Sequence, residues 1–336
     1  VIEIVVTEEA AGQRLDKLLR KALKDVPLSH VFKMLRTRKV RVNGARGRPE
    51  QLLAAGDKVS IRGDEEQLRA PGEKRPPRPA EVKVTFGVLF EDEHLLAVDK
   101  PSGLAAHPGT GITGATLVEQ ARAYLEVPAE PPAGAFVPSP AHRLDRETSG
   151  IVVVAKTRKA MVGLTHIFTS GEGVKKTYLA LAKGKLTRPE GTIDLPLSEH
   201  EQTGKSKAMR GVNMQEAVTH WRVVSSMKEA TLLAVRIETG RTHQIRRHLE
   251  SVGHPVAGDR RYGDFPFNRI AKQRWGLDRM FLHAWKLELP HPVTGGRVRL
   301  EAPLPGELAE VLSRMNLAAP PPGGSRAKAP PAAPGR

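Results

Sequence analysis

Two segments of this chain concentrate groups that can do chemistry. The first, PAHRLDRETSGIVVVAK at residues 140–156, carries polar and charged side chains straight into an apolar run. A loop of that kind belongs at the mouth of a buried strand. Within it Asp145 is flanked by Arg143 and Arg146, and a carboxylate held near guanidinium groups stays ionised at neutral pH. An ionised carboxylate can act as nucleophile or base, although the local pattern alone fits a structural salt bridge more simply. The second segment, TGRTHQIRRH at residues 239–248, follows a β-rich run and opens a helical pattern. By itself it reads as a basic helix start suited to phosphate.

Other chemistries find no support. Gly109, Gly111 and Gly114 make a literal G-x-G-x-x-G, but a dinucleotide site needs its first glycine directly after a strand, and KPSGLAAHP separates these glycines from LLAV. The histidines form no H-E-x-x-H, and His243 and His248 are five apart rather than four, so a metal site is not expected. Ser149 sits in T-S-G rather than G-x-S-x-G. With no cysteine, disulfides, thiol nucleophiles and cysteine-built zinc sites are excluded. The chain is expected to need no cofactor.

Positioning these groups falls to a mixture of helices and strands. Leu15, Leu18, Leu19, Ala22 and Leu23 recur at helical spacing, and Ser29 can cap a second helix carrying Phe32 and Leu35. Val40 to Gly44 alternates like a strand and ends in an Asn-Gly turn. Beyond residue 80, the runs VKVTFGV, LLAV, IVVVA, TYLALA, TLLAVRI and MFLHAWKLEL predict strands, separated by helical patterns at 116–125 and 159–168. The fold class is α+β, a small N-terminal domain followed by a larger one built on a mixed sheet. The expected boundaries are 1–63 for the first domain, a charged, proline-rich linker at 64–80, 81–317 for the second domain, and a disordered basic Pro/Gly-rich tail at 318–336.

Charge suggests the partner. The 336 residues hold 53 Lys and Arg against 37 Asp and Glu, a formal net charge of +16, which points to an extended polyanion and first of all to nucleic acid. Lys33, Arg36, Arg38, Lys39 and Arg41 crowd the second helix and its exit, and no acidic residue occurs from His30 to Arg48. A face made for solubility alone normally mixes signs. Aromatic residues make up only 4% of the chain, which argues against single-strand binding on rows of stacking rings. No apolar run approaches the roughly 18 residues of a membrane span, and the first ten residues lack the basic start of a signal peptide. A cytoplasmic protein is expected.

Taken together, the segments resemble one family, the RluA-type RNA pseudouridine synthases, in the RluC/RluD branch with an N-terminal S-four-type RNA-binding domain. In the first domain the matching strings are GQRLDKLLRKAL, SHVFKMLRTRKVRVNG and LLAAGDKVSI. In the second they are VDKPSGLAAHPG, HRLDRETSG, KKTYLALAKG, TGRTHQIRRHL, GHPVAGDRRYG and FLHAWKLEL, so the resemblance spans about residues 12 to 312. Glu147 stands where the family often has Asp, and Ala106 replaces the usual Val before His107.

The resemblance implies that specific uridines of ribosomal RNA, most of all large-subunit RNA, are isomerised to pseudouridine. The uracil is cut from its ribose, turned and rejoined through carbon 5, which calls for no electron or group carrier. It implies that Asp145 is the essential carboxylate, as nucleophile or base, and that Arg143 enters the gap left by a flipped base. Tyr178 would pack on the uracil, its hydroxyl assisting proton removal at carbon 5, and Arg241 would fix the Asp145 carboxylate. Lys33, Arg36, Arg38, Lys39 and Arg41 would bind RNA phosphates, and the enzyme would act as a monomer. His107, Arg246, Asp259 and His283 lie in matched strings without an assigned role. The competing readings are a synthase acting on transfer RNA, a non-catalytic RNA-binding protein, and a glycosidase releasing uracil. A glycosidase would normally place two carboxylates around the bond, and no second one stands out.

Overall fold

A computed structural model describes residues 2–7, 11–23, 26, 28–62, 82–109, 112, 114–128, 131, 135–198 and 214–320. The chain divides into two compact units, Val1–Pro76 and Pro77–Arg336. The expected linker at 64–80 and the tail beyond residue 320 lie outside the described residues.

The first unit comprises β1 (Ile2–Val5), α1 (Leu15–Ala22), α2 (Leu28–Arg36), β2 (Val40–Val42), β3 (Ala45–Arg46) and β4 (Lys58–Ile61). Its sheet is antiparallel in the order β1-β4-β2-β3. Helix α1 buries Leu15, Leu18 and Leu19, the stripe its spacing predicts. In α2 the inward stripe is Val31, Met34 and Leu35, while Phe32 is 42% exposed. Helix α2 carries Phe32 and Leu35 as expected, but only Leu35 is buried: the i, i+3, i+4 face wins because it buries three large side chains, each worth about 1.5–3 kcal/mol. Lys33, Arg36, Arg38, Lys39 and Arg41 are all exposed.

In the second unit the strands are β5 (Gly87–Glu91), β6 (Leu95–Lys100), β7 (Ser139–Pro140), β8 (Ser149–Ala155), β9 (Lys175–Lys183), β10 (Glu190–Asp194), β11 (Leu197–Ser198), β12 (Met214–Gln215), β13 (Val218–Ser226), β14 (Ala230–Ile237), β15 (Leu282–Pro290) and β16 (Arg297–Glu301). Among the described residues five helices accompany them: α3 (Leu117–Tyr124), α4 (Arg158–Ser170), α5 (Gln244–Ser251), α6 (Phe265–Trp275) and α7 (Gly306–Arg314). A ten-stranded sheet runs β10-β13-β14-β9-β15-β8-β6-β5, with β16 added on β15 and β7 on β8. It is mixed because β15 and β8 pair in parallel while its other pairs are antiparallel.

Strand β8 shows why the IVVVA run is continuous rather than alternating: every residue in it is buried. Ile151 and Val153 face a layer with Ala160 and Leu164 of α4, whereas Val152 and Val154 pack on the opposite face with Leu117 and Ala121 of α3. The start of α3 is held by a Thr116–Glu119 capping box, worth roughly 0.5–2 kcal/mol. Helix α5 lays Ile245 and Leu249 on Ala180, Leu233 and Val235 of β9 and β14. These layers fix three points: the loop before β8, the middle of β9, and the start of α5.

Candidate active site

The HRLDRETSG loop is held from behind. Lys100, fully buried at the end of β6, donates from Nζ to the carbonyls of Pro101 (2.9 Å), Leu104 (2.9 Å) and Arg146 (3.1 Å). Three acceptors match the three N–H donors of an ammonium. Burial, then the charge of Arg279, pulls its pKa down to about 7, while Glu147, Asp145 and Asp99 pull it back. Ser102 Oγ donates to the Glu147 carbonyl at 2.7 Å, and the Gly103 N–H to that of Arg146 at 2.8 Å. At the loop's end Ser149 Oγ accepts from Arg279 (2.8 Å) and bonds His283 Nδ1 (2.9 Å), whose Nε2 faces the Ala302 carbonyl at 3.4 Å, so that Nδ1 of the neutral ring is the acceptor. The ring is neutral because burial lowers its pKa to about 4. His142 is likewise neutral, because its Nε2 accepts the Val153 N–H at 3.0 Å and burial lowers its pKa to about 3.

Replacing Lys100 with Met keeps the length and removes the donors. The Pro101 and Leu104 carbonyls would then lack a donor, at about 1–3 kcal/mol each, while that of Arg146 keeps the Gly103 N–H, so Lys100→Met is expected to cost at least about 2 kcal/mol in urea unfolding. A variant as stable as the wild type would show that Lys100 does not hold the loop.

Held this way, Asp145 lies half-buried, and one cavity brings it together with Arg143, Tyr178, Arg241, His243 and Arg246. Asp145 Oδ2 accepts from Arg246 at 3.0 Å, whereas Oδ1 has no hydrogen bond among the described residues. His243 Nε2 stands 3.7 Å from Oδ2. Tyr178, on β9 between Val235 and Ala284, is half-buried. Burial, and then the charge of Asp145, pushes its phenol well above the usual range. Its hydroxyl makes no hydrogen bond among the described residues. Arg143 is exposed and without an ion-pair partner among the described residues.

The expectation that Arg241 fixes Asp145 is corrected. Arg241 lines the cavity, but its Nε donates to the Glu216 carbonyl at 3.0 Å and its N–H to Gln244. It precedes α5, and the chain turns between the two through His243, a non-glycine residue in the left-handed region at φ 55°. Arg246 lies inside the helix on the face that buries Ile245 and Leu249, and helical side chains lean toward the N-terminus. From there it reaches both Asp145 and the fully buried Asp259, to which Nε and an Nη donate at 2.7 and 3.0 Å. Burial alone would lower its pKa, but the bonds and charges of Asp259, then Asp145, outweigh burial and raise it. An arginine on the apolar stripe of HQIRRHL was the available signal, since a buried guanidinium requires carboxylates.

Among the described residues no cluster of His, Asp and Glu could hold a metal ion, and no helix is long and apolar enough to cross a membrane. Residues 94–251, which include the whole cavity apart from Leu282, match the family described as RNA pseudouridylate synthase. The chain is 38% identical over 319 residues to the ribosomal large subunit pseudouridine synthase C of Escherichia coli strain K12, covering 93% of this chain and 96% of that one. It is 36% identical over 315 residues to the ribosomal large subunit pseudouridine synthase D of Nitrosomonas europaea, covering 94% and 88%. Among solved structures, human RNA pseudouridylate synthase domain containing 4 aligns with 70% of this chain and 94% of its own, at TM-score 0.56 and 28% identity. Similarity of this order, along nearly the full length and through the Asp145 cavity, means that the chain belongs to the RNA pseudouridylate synthase family.

Proposed function

We propose that this enzyme converts specific uridines of large-subunit ribosomal RNA to pseudouridine, with Asp145 as the reacting carboxylate. The observation that carries the reading is the Asp145 carboxylate itself: one oxygen is held by Arg246, the other has no hydrogen bond among the described residues, and Tyr178 lies in the same cavity. Oδ1 is then the reacting oxygen, whether it attacks the ribose or takes a proton. A paired or stacked uridine must leave the helix to reach it, at a cost of a few kcal/mol. The exposed, planar guanidinium of Arg143 at the same cavity suits the gap that remains. Arg241, bound to a backbone carbonyl, serves the cavity wall and the RNA backbone rather than the carboxylate.

The state of Tyr178 refines its role. A phenol whose pKa is raised stays protonated at neutral pH and is not itself a ready base. As a protonated phenol it packs on and supports the uracil ring. In the first unit the five exposed cations of α2, β2 and the turn between them fit phosphate contacts that position the substrate, as an S-four-type module would. The names of the relatives favour large-subunit RNA over transfer RNA.

Incubating the purified chain with large-subunit RNA and with transfer RNA, then mapping pseudouridine and assaying free uracil, tests the proposal. Pseudouridine at discrete positions of large-subunit RNA, without uracil release, is the expected result. Modification of transfer RNA alone would overturn the substrate, and accumulation of free uracil would overturn the reaction.

A further inference from the structure

The Arg246 side chain is long and flexible up to its planar guanidinium, and something must aim it. Its partner away from the cavity, Asp259, is fully buried and joins it through a two-point fork. Asp259 Oδ1 also accepts the backbone N–H groups of Arg261 (2.8 Å) and Tyr262 (3.0 Å). Asn268 Nδ2 donates to the Asp259 carbonyl at 2.9 Å, and its Oδ1 accepts the Gly258 N–H at 2.8 Å, which ties this turn to α6. The Tyr262 ring lies under the guanidinium, its centroid 5.0 Å from Cζ. The turn thus grips Arg246 at its edge and on one face, leaving the remaining Nη for Asp145 at 3.0 Å.

We infer that Asp259 is a positioning residue for catalysis: it orients Arg246 so that one guanidinium nitrogen fixes Oδ2 of Asp145 and Oδ1 faces the substrate. This rests on the reading of Asp145 as the reacting carboxylate. A group that acts through another should affect turnover more than binding, and only while the intermediary is present.

Asp259→Asn tests this because no rotamer of the amide satisfies the site. If its oxygen keeps the two backbone N–H groups, its NH2 faces Arg246 Nε–H, donor against donor. If it flips, the NH2 faces the backbone N–H groups and one Arg246 Nη. Either way the guanidinium is pushed from its aim. The expected single-turnover rate on the RNA substrate is at least about ten-fold below wild type, with RNA affinity within about two-fold. Arg246→Gln alone should also slow the reaction, and adding Asp259→Asn to it should slow it no further than about two-fold.

Thermal melts accompany each variant, and Asp259→Ser, whose small hydroxyl leaves room at the turn, is read if the Asn variant does not fold. An unchanged rate for the Asp259 variants beside a slowed Arg246→Gln would overturn the inference alone. Losses that multiply in the double variant would do the same, as would failure of both Asp259 variants to fold, which would make the residue structural support. Full activity of Arg246→Gln and of Asp145→Asn would overturn the reading of the site, and the inference with it.

Discussion

Asp145→Asn is expected to turn over below about 1% of the wild-type rate, a loss of more than about 2.7 kcal/mol of transition-state stabilisation. The substitution keeps the volume and leaves an oxygen able to accept from Arg246. It removes the negative charge, and an amide is neither a competent nucleophile nor a base near neutral pH. Folding should survive, since Arg246 retains its fork to Asp259 and is not left as an unpaired buried charge. RNA affinity should stay within a few-fold, because the exposed cations of the first unit are untouched. Asp145→Glu separates charge from geometry: it stays anionic but moves the reacting oxygen by one methylene. Misplacement of about 1 Å can cost about 100-fold, so the Glu variant should fail nearly as badly. Pseudouridine formation by the Asn variant above 1% of wild type would remove Asp145 from the reaction.

Particular residues show how far the sequence could be read. The IVVVA run with its polar approach was legible because a strand buried on both faces needs apolar side chains at every position, and a loop bearing Asp145 has to precede it. The helical pattern at 116–125, which became α3, was legible for the same kind of local reason. Meeting of groups far apart in the chain was not written in spacing. Asp145, Tyr178 and Arg246 share a cavity because β8, β15, β9 and α5 are neighbours, and local patterns do not encode that adjacency. Family strings supplied the right segments but pointed to Arg241 rather than Arg246 in TGRTHQIRR. The left-handed turn at His243 decides the matter by leaving Arg241 before the helix and Arg246 on its inward face. In α2 two overlapping helical faces were available, and burial selected the one with Val31 and Met34 over the one with Phe32.

Gly150→Ala should be strongly destabilising to the larger unit, although it adds one methyl group. Gly150 follows Ser149 in β8 and pairs with Ala284 in the parallel ladder to β15. A Cβ there would stand 2.2 Å from the Ala284 oxygen and 2.8 Å from its carbonyl carbon and nitrogen, all backbone atoms. Neither strand can withdraw cheaply: β15 is also bonded to β9 and β16, and β8 to β6 and β7. The residue also sits at φ +112°, a conformation that costs a side-chain-bearing residue about 1–3 kcal/mol. Clash and backbone strain together place the expected loss above about 4 kcal/mol, in the range reserved for breaking a specific core feature. For a unit of this size that is a melting temperature lower by about 10 °C or more, or failure to accumulate folded protein. Any separation of β8 from β15 also strains the Ser149–His283 bond and the loop holding Asp145, so residual folded protein should turn over slowly. Gly171→Ala is the matched control. It caps α4 at φ +71°, with nothing within 4 Å of the added carbon, and should cost only about 1 kcal/mol through backbone strain. Equal, small shifts for the two variants in thermal melts would mean that β8 and β15 are not in the close contact that positions Asp145.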